Sequence, residues 1–158
     1  MSNKQKVGFI GAGYMGKGMV INLLKDYDVY IIAHKNKSPI EKLKNIGAKE
    51  VLSYDELCNL NLDCLFLCVT NTHVALSIAN ELAKKLPIST IIIDITTHHK
   101  TGSIEMLNIF KKNNINYCEC PVMGGPVQSE EGILGGILGA SENNFKVAEK
   151  YLKSFCKN

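Results

Sequence analysis

An α/β fold with a doubly wound, mostly parallel sheet is the architecture this sequence predicts, on three observations. Apolar runs of strand length alternate with stretches of helical period along the whole chain. Two of those runs, Asp63–Val69 and Thr90–Ile95, are apolar on both faces, as central strands of a parallel sheet must be. The first run leads at once into a glycine-rich turn that opens a helix. Repeated βα units of this kind close helices over both faces of one sheet.

Taken in order, Lys6–Ile10 reads as the first strand, and Tyr14–Lys25 as a helix with Met15, Met19, Leu23 and Leu24 along one stripe. Asp28–Ala33 is a second strand. Pro39 suits the first turn of a short helix carrying Ile40, Leu43 and Ile46, which Gly47 ends. Val51 and Leu52 predict a short third strand, and Ser53–Leu60 a helical turn opened by Ser53. After the first buried strand, Asn71 can cap a helix whose stripe is Val74, Ile78 and Leu82, backed by Ala75, Ala79 and Ala83, with Pro87 at its exit. Beyond the second, a helix over Ser103–Lys112 is expected to bury Ile104, Leu107 and Phe110, and Asn114–Cys118 returns to the sheet. Pro121–Gly139 holds six glycines (124, 125, 132, 135, 136 and 139), which predicts a backbone-rich loop and then a short strand over Gly132–Leu138. Ser141 opens the last helix, with Phe145, Ala148, Leu152 and Phe155 on one face.

Composition narrows the function. The 158 residues, 46% hydrophobic and 21% charged, fit one globular domain over residues 1–158. A net charge of +3 from dispersed lysines gives no case for nucleic acid. All 18 basic residues are lysines, so an anion must be held by backbone N–H groups, lysine, histidine or hydroxyls rather than by an arginine fork. Six cysteines without CxxC spacing fall mostly in apolar runs, which points to structural thiols in a reducing, cytoplasmic setting. No apolar run approaches the ~20 residues that cross a bilayer, so no membrane partner is expected. His98 and His99 follow a strand end and read as exposed loop histidines. Nothing in the sequence places them with Cys118 and Cys120, and no metal site is expected. His73 reads as surface, and Asp94 as a residue that orders the next loop.

The motif that carries chemistry is Gly11-Ala12-Gly13-Tyr14-Met15-Gly16. In a Rossmann-type unit Gly11 permits the tight turn, Gly13 admits a pyrophosphate to the backbone, and Gly16 lets helix and strand pack closely. The helix N-terminus then holds the phosphates without a cationic side chain. The alternative is a glycine-rich turn with no ligand. A carboxylate about twenty residues on would accept the ribose hydroxyls of NAD. Here the segment reads Ala33-His34-Lys35-Asn36-Lys37-Ser38, without Asp or Glu. That favours NADP over NAD, against the alternative of a solvated lysine loop.

The longer run Gly8-Phe9-Ile10-Gly11-Ala12-Gly13-Tyr14-Met15-Gly16-Lys17-Gly18-Met19, followed by Asn22-Leu23, resembles the β-hydroxyacid dehydrogenases. Cys68-Val69-Thr70-Asn71, Asp94-Ile95-Thr96-Thr97, Glu119-Cys120-Pro121-Val122-Met123-Gly124-Gly125-Pro126 and Gly132-Ile133-Leu134 resemble further segments of that family. The resemblance implies that Gly11, Gly13, Tyr14, Met15 and Gly16 cradle the pyrophosphate and that His34 and Lys35 meet the NADP phosphate. It implies that Val69, Thr70, Asn71 and Thr97 border the nicotinamide half. Thr97, Met123, Gly124 and Gly125 would face a small carboxylate substrate. Two residues depart from the family pattern: Met123 stands where a substrate-binding serine is usual, and His34 where arginine is.

The family completes its cleft with a helical second domain that carries an acid–base lysine. No lysine of this chain has those surroundings, so no catalytic residue is assigned here. The expectation is an NADP-binding oxidoreductase domain acting on a small hydroxy acid or its carbonyl partner, incomplete as given, with little turnover on its own. The competing reading is a non-catalytic NAD(P)-binding module, a sensor or assembly component. A homo-oligomer is left open.

Overall fold

The computed structural model describes residues 4–32 and 38–157. Its six-stranded sheet is parallel throughout, in the order β3-β2-β1-β4-β5-β6. The strands are β1 (Lys6–Ile10), β2 (Asp28–Ile32), β3 (Lys49–Val51), β4 (Cys64–Leu67), β5 (Ile91–Asp94) and β6 (Asn116–Glu119). The chain winds outward from β1 in one direction, then returns to β4 and winds outward in the other. The carboxyl ends of β1 and β4 therefore flank the switch point, where such sheets bind ligands.

Helices α1 (Tyr14–Leu23), α2 (Ser38–Asn45) and α7 (Glu142–Leu152) cover one face, while α3 (Tyr54–Cys58), α4 (Thr72–Leu82) and α5 (Lys100–Lys112) cover the other. Alternation along β4 feeds both cores: Cys64 and Phe66 point to the first, Leu65 and Leu67 to the second. Phe66 is the centre of an aromatic row, 5.6 Å from Phe9 and 5.5 Å from Phe155 between ring centroids. The three expected caps form: Ser53, Asn71 and Ser141 each accept a backbone N–H of the following turn.

Several expectations need correction. The helix α2 ends at Asn45, so Ile46 falls in the turn beyond it and is exposed, and Leu52 likewise lies outside β3 in solvent. The fifth helix starts at Lys100, not Ser103, and buries Gly102, Met106 and Phe110, while Ile104 and Leu107 are half-exposed. Two contacts turn the helix that way. Phe110 stacks on Tyr117 at 5.4 Å, and Gly102 lies against Thr72, where a methyl group would collide. A glycine contributes nothing to a hydrophobic stripe, so the periodicity placed Phe110 correctly but turned the rest of the face towards Ile104 and Leu107. In α7 the buried residues are Ala148, Tyr151 and Leu152, Phe145 is half-exposed, and Phe155 is buried only after the helix has ended.

The largest difference is in the glycine-rich segment. Instead of one strand over Gly132–Leu138 it forms a small antiparallel pair, β7 (Val122–Met123) with β8 (Gly135–Gly136), around helix α6 (Pro126–Glu131). The sequence of α6 has no apolar stripe, because it is held by backbone and polar contacts.

Candidate dinucleotide site

The site is assembled at the carboxyl ends of β1, β4 and β5. Gly11 leaves β1 with φ +101°, a conformation L side chains rarely adopt, and a methyl group there would run into the Cys68 carbonyl. Gly16 is equally tight, against the Gly11 carbonyl and the Phe9 ring. Gly13 is different. A methyl group at Gly13 would meet no protein atom within 4 Å. Packing therefore does not require its bareness, and it borders a cavity of ≈240 Å³ lined also by Tyr14, Lys17, Ser38, Lys42 and Glu130. The Tyr14 side chain is exposed and Met15 is partly buried. His34 and Lys35 lie outside the described residues.

The residues beyond the bare glycines lock α6 onto α1. A methyl group at Gly18 would press on the backbone of Ser129 and Glu130 at 2.5 Å. Buried Asn22 donates through Nδ2 to the carbonyls of Ser129 and Glu130, at 2.9 and 3.1 Å. Ser129 returns a hydrogen bond from Oγ to the Met15 carbonyl at 2.6 Å, and Lys17 pairs with Glu130 at 2.8 Å. The glycine-rich loop is thereby fixed relative to the nucleotide turn.

On the far side, Val69 is partly buried, and Thr70, Asn71 and Thr97 are exposed at the rim. Asn71 caps α4 through its Oδ1, which accepts the Val74 N–H at 3.0 Å. Met123 is 61% exposed on β7, with no polar group to offer a ligand. Gly124 has φ +127°, and the Gly125 N–H is already donated to Gln128 Oε1 at 2.9 Å. Only by displacing Gln128 could a carboxylate use the Gly125 donor that the resemblance implied.

Sequence reasoning missed a buried polar network beneath this rim. Asp94 at the end of β5 is inaccessible to solvent. Its Oδ1 accepts the Thr96 N–H at 2.9 Å, and its Oδ2 accepts the Tyr117 hydroxyl at 3.0 Å and lies 2.8 Å from His98 Nε2. The other nitrogen of His98, Nδ1, sits 3.0 Å from the Thr72 hydroxyl. Thr96 passes the restraint on by accepting the Val69 N–H at 3.1 Å. His98 is thus an enclosed ion-pair partner rather than an exposed loop residue, whereas His99 caps α5 by accepting the Gly102 N–H at 3.1 Å. Lys100 begins that helix. The i,i+4 spacing of Asp94 and His98 was the available signal, but it crosses a strand end, where spacing does not fix direction.

The hydrogen bond to Asp94 raises the His98 pKa, partly opposed by burial, and burial next to Asp94 pushes the Tyr117 hydroxyl up as well. A raised folded-state pKa means that the protonated pair stabilises fully below the ordinary histidine value of about 6.5 and loses that contribution as pH rises through the folded value. Urea midpoints of wild type and His98→Gln should therefore differ most below about pH 6.5 and draw together as pH rises through the folded value. A gap that widens with pH would refute the ion pair. Among the described residues no group of three or more His, Cys, Asp or Glu side chains could hold a metal, and no helix is long and apolar enough to cross a membrane.

Comparison with known proteins agrees with this geometry. Residues 6–158 match the family described as the NAD binding domain of 6-phosphogluconate dehydrogenase. A probable mitochondrial 3-hydroxyisobutyrate dehydrogenase of Dictyostelium discoideum is 31% identical over 159 residues, covering 99% of this chain and 50% of the relative. The 3-hydroxyisobutyrate dehydrogenase of Mycobacterium tuberculosis, solved with L-serine, superposes with TM-score 0.91 at 19% identity, covering 97% of this chain and 52% of that one. Psf3 in complex with NADP+ and 2-OPP superposes with TM-score 0.86 at 25% identity, covering 95% of this chain and 54% of that one. The chain thus spans about half the length of the proteins it matches. A parallel sheet with the glycine turn at its switch point, and a family match running from β1 to the last residue, establish that this chain belongs to the NAD-binding domains of the 6-phosphogluconate and β-hydroxyacid dehydrogenase family, oxidoreductases that use a nicotinamide dinucleotide.

Proposed function

We propose that the chain binds NADP in preference to NAD and, completed by a second domain, serves hydride transfer between NADP(H) and a small hydroxy acid or its carbonyl partner. The observation that carries the cofactor reading is the cavity beside Gly13. A Cβ there would enter open space, and Lys42 on α2 lines the wall where an adenosine phosphate would lie. No Asp or Glu occurs from Ala33 to Ser38 to repel that phosphate.

The bound dinucleotide supplies the hydride donor or acceptor. Gly11, Gly13 and Gly16, with the first N–H groups of α1, hold its pyrophosphate. Tyr14 and Met15 flank that turn, and His34, Lys35 and Lys42 attract the extra phosphate. Val69, Thr70, Asn71 and Thr97 border the nicotinamide half, and Asp94 and His98 hold that rim from below. Thr97, Met123, Gly124 and Gly125 face the substrate. Psf3, whose solved complex contains NADP+, supports a nicotinamide dinucleotide as the cofactor. Six free thiols among the described residues favour a reducing, cytoplasmic setting.

Exposed Met123 and the occupied Gly125 N–H favour a second reading, a dinucleotide-binding module without turnover. Calorimetric titration with NADP and NAD, followed by NADPH oxidation with a panel of small carbonyl acids, tests both. NADP should bind about tenfold or more tighter than NAD, and Lys42→Ala should remove most of that difference while leaving NAD unchanged. Equal affinities would overturn the NADP preference. Turnover only when a lysine-bearing second domain is supplied supports the enzyme reading. None under either condition supports the module.

A further inference from the structure

We propose that Cys120 and Cys156 form a peroxide-reactive thiol pair that closes to a disulfide between the base of the glycine-rich loop and the segment after α7. The pair is brought together by backbone. Cys120 follows β6, and its N–H donates to the Asp94 carbonyl at 2.7 Å. Cys156 follows α7 in a bridge to Leu134, framed by hydrogen bonds from Leu134 N to Phe155 O at 3.0 Å and from Lys157 N to Leu134 O at 2.9 Å. Gly136 lies between them: a methyl group there would sit 3.0 Å from the sulfur of Cys120 and 3.3 Å from that of Cys156. Both sulfurs thus border the one small space that a side chain at position 136 would fill.

The two thiols are not equivalent. Cys120 is buried, whereas Cys156 is partly exposed. Both line a cavity of ≈260 Å³ whose charged lining is Glu149, Lys153 and Lys157. Lys153 is paired with Glu149 at 3.4 Å, which leaves Lys157 as the further cation of that lining. The neighbouring Cys120 thiol holds Cys156 below its ordinary value, while the interaction with Cys156, together with burial, pushes Cys120 up. The remaining cysteines lack this combination. Cys64 and Cys118 are near neighbours but sealed in the core, and burial pushes Cys58 and Cys68 up to about 11 and about 12.

The division of labour follows. The Cys156 thiolate attacks hydrogen peroxide, forming an S–O bond as the O–O bond breaks, and the hydroxide released takes up a proton to leave as water. Cys120 sulfur then attacks the resulting sulfenic acid. The S–S bond forms, the S–O bond breaks, and the proton of Cys120 leaves with the hydroxyl as a second water. Two thiols are oxidised by two electrons and one peroxide is reduced to two waters.

The test is treatment of the folded protein with hydrogen peroxide, followed by thiol titration in denaturant and peptide mapping. Two of the six thiols should disappear together, with a mass loss of about 2 Da, a Cys120–Cys156 cross-linked peptide, and recovery by dithiothreitol. In Cys120→Ser, a sulfenic acid trappable by dimedone should appear at Cys156. In Cys156→Ser, thiol loss should slow about tenfold or more. Oxidation of Cys156 to sulfinic acid with Cys120 still free, or first loss at any other cysteine, would overturn the proposal. Because the wild-type map decides it, the result does not depend on either variant folding.

Discussion

Asp94→Ala should lower stability by about 3–5 kcal/mol, since it strands three buried donors at once. Thr96 N, the Tyr117 hydroxyl and His98 Nε2 all converge on this one carboxylate. Without it the imidazole loses the hydrogen-bond partner that favours its protonated form. For a domain of this size the melting temperature should fall by about 10 °C. The loss should also spread sideways, because Thr96 holds Val69 and so the end of β4. Asp94→Asn keeps an acceptor for Thr96 and should cost less, while abolishing the pH-dependent gap expected of His98. Thermal and urea melts of the two variants decide the matter. A cost below about 1 kcal/mol for alanine would show that the network does not carry the rim.

Gly11→Ala is expected to be comparably damaging for a different reason. Its φ of +101° and the clash with the Cys68 carbonyl cannot both be relieved by local movement. The two strands are tied at that point by Cys68 N donating to Ile10 O at 2.8 Å, so opening the gap breaks the sheet where it begins to diverge. Strain and overpacking together should cost about 3–5 kcal/mol, and dinucleotide binding should be lost. Gly13→Ala is the matched control, since its methyl group meets no protein atom. It should melt within about a degree of wild type yet bind the dinucleotide more weakly. A Gly13→Ala variant that binds as tightly as wild type would remove the pyrophosphate from this turn.

What the sequence made legible follows from how each contact is encoded. The strands β1, β4 and β5 and the caps Ser53, Asn71 and Ser141 rest on local pattern, and they appear where expected. The glycine turn was equally readable, because the strand before it and the helix after it supply the context that a bare motif lacks. Helix α6 was hidden, since its docking depends on Ser129 and on backbone carbonyls reached by Asn22 from more than a hundred residues away. The face of α5 was misjudged because Gly102 and an aromatic stack outweigh two exposed aliphatics. His98 looked ordinary because its partner is set by a turn after β5, and turn geometry has no hydropathy signature.

The seam between α1 and α6 also constrains inheritance. Gly18, Asn22 and Met15 on one side and Ser129 and Glu130 on the other share hydrogen bonds and a contact too close for any side chain at Gly18. A chimera that grafted residues 126–132 of one relative onto the first helix of another would have to transplant both halves of that seam. Drift in the loop is therefore tethered to drift in the nucleotide helix. Change is more readily accommodated at positions such as Met123, which protrudes from β7 and owes nothing to the seam.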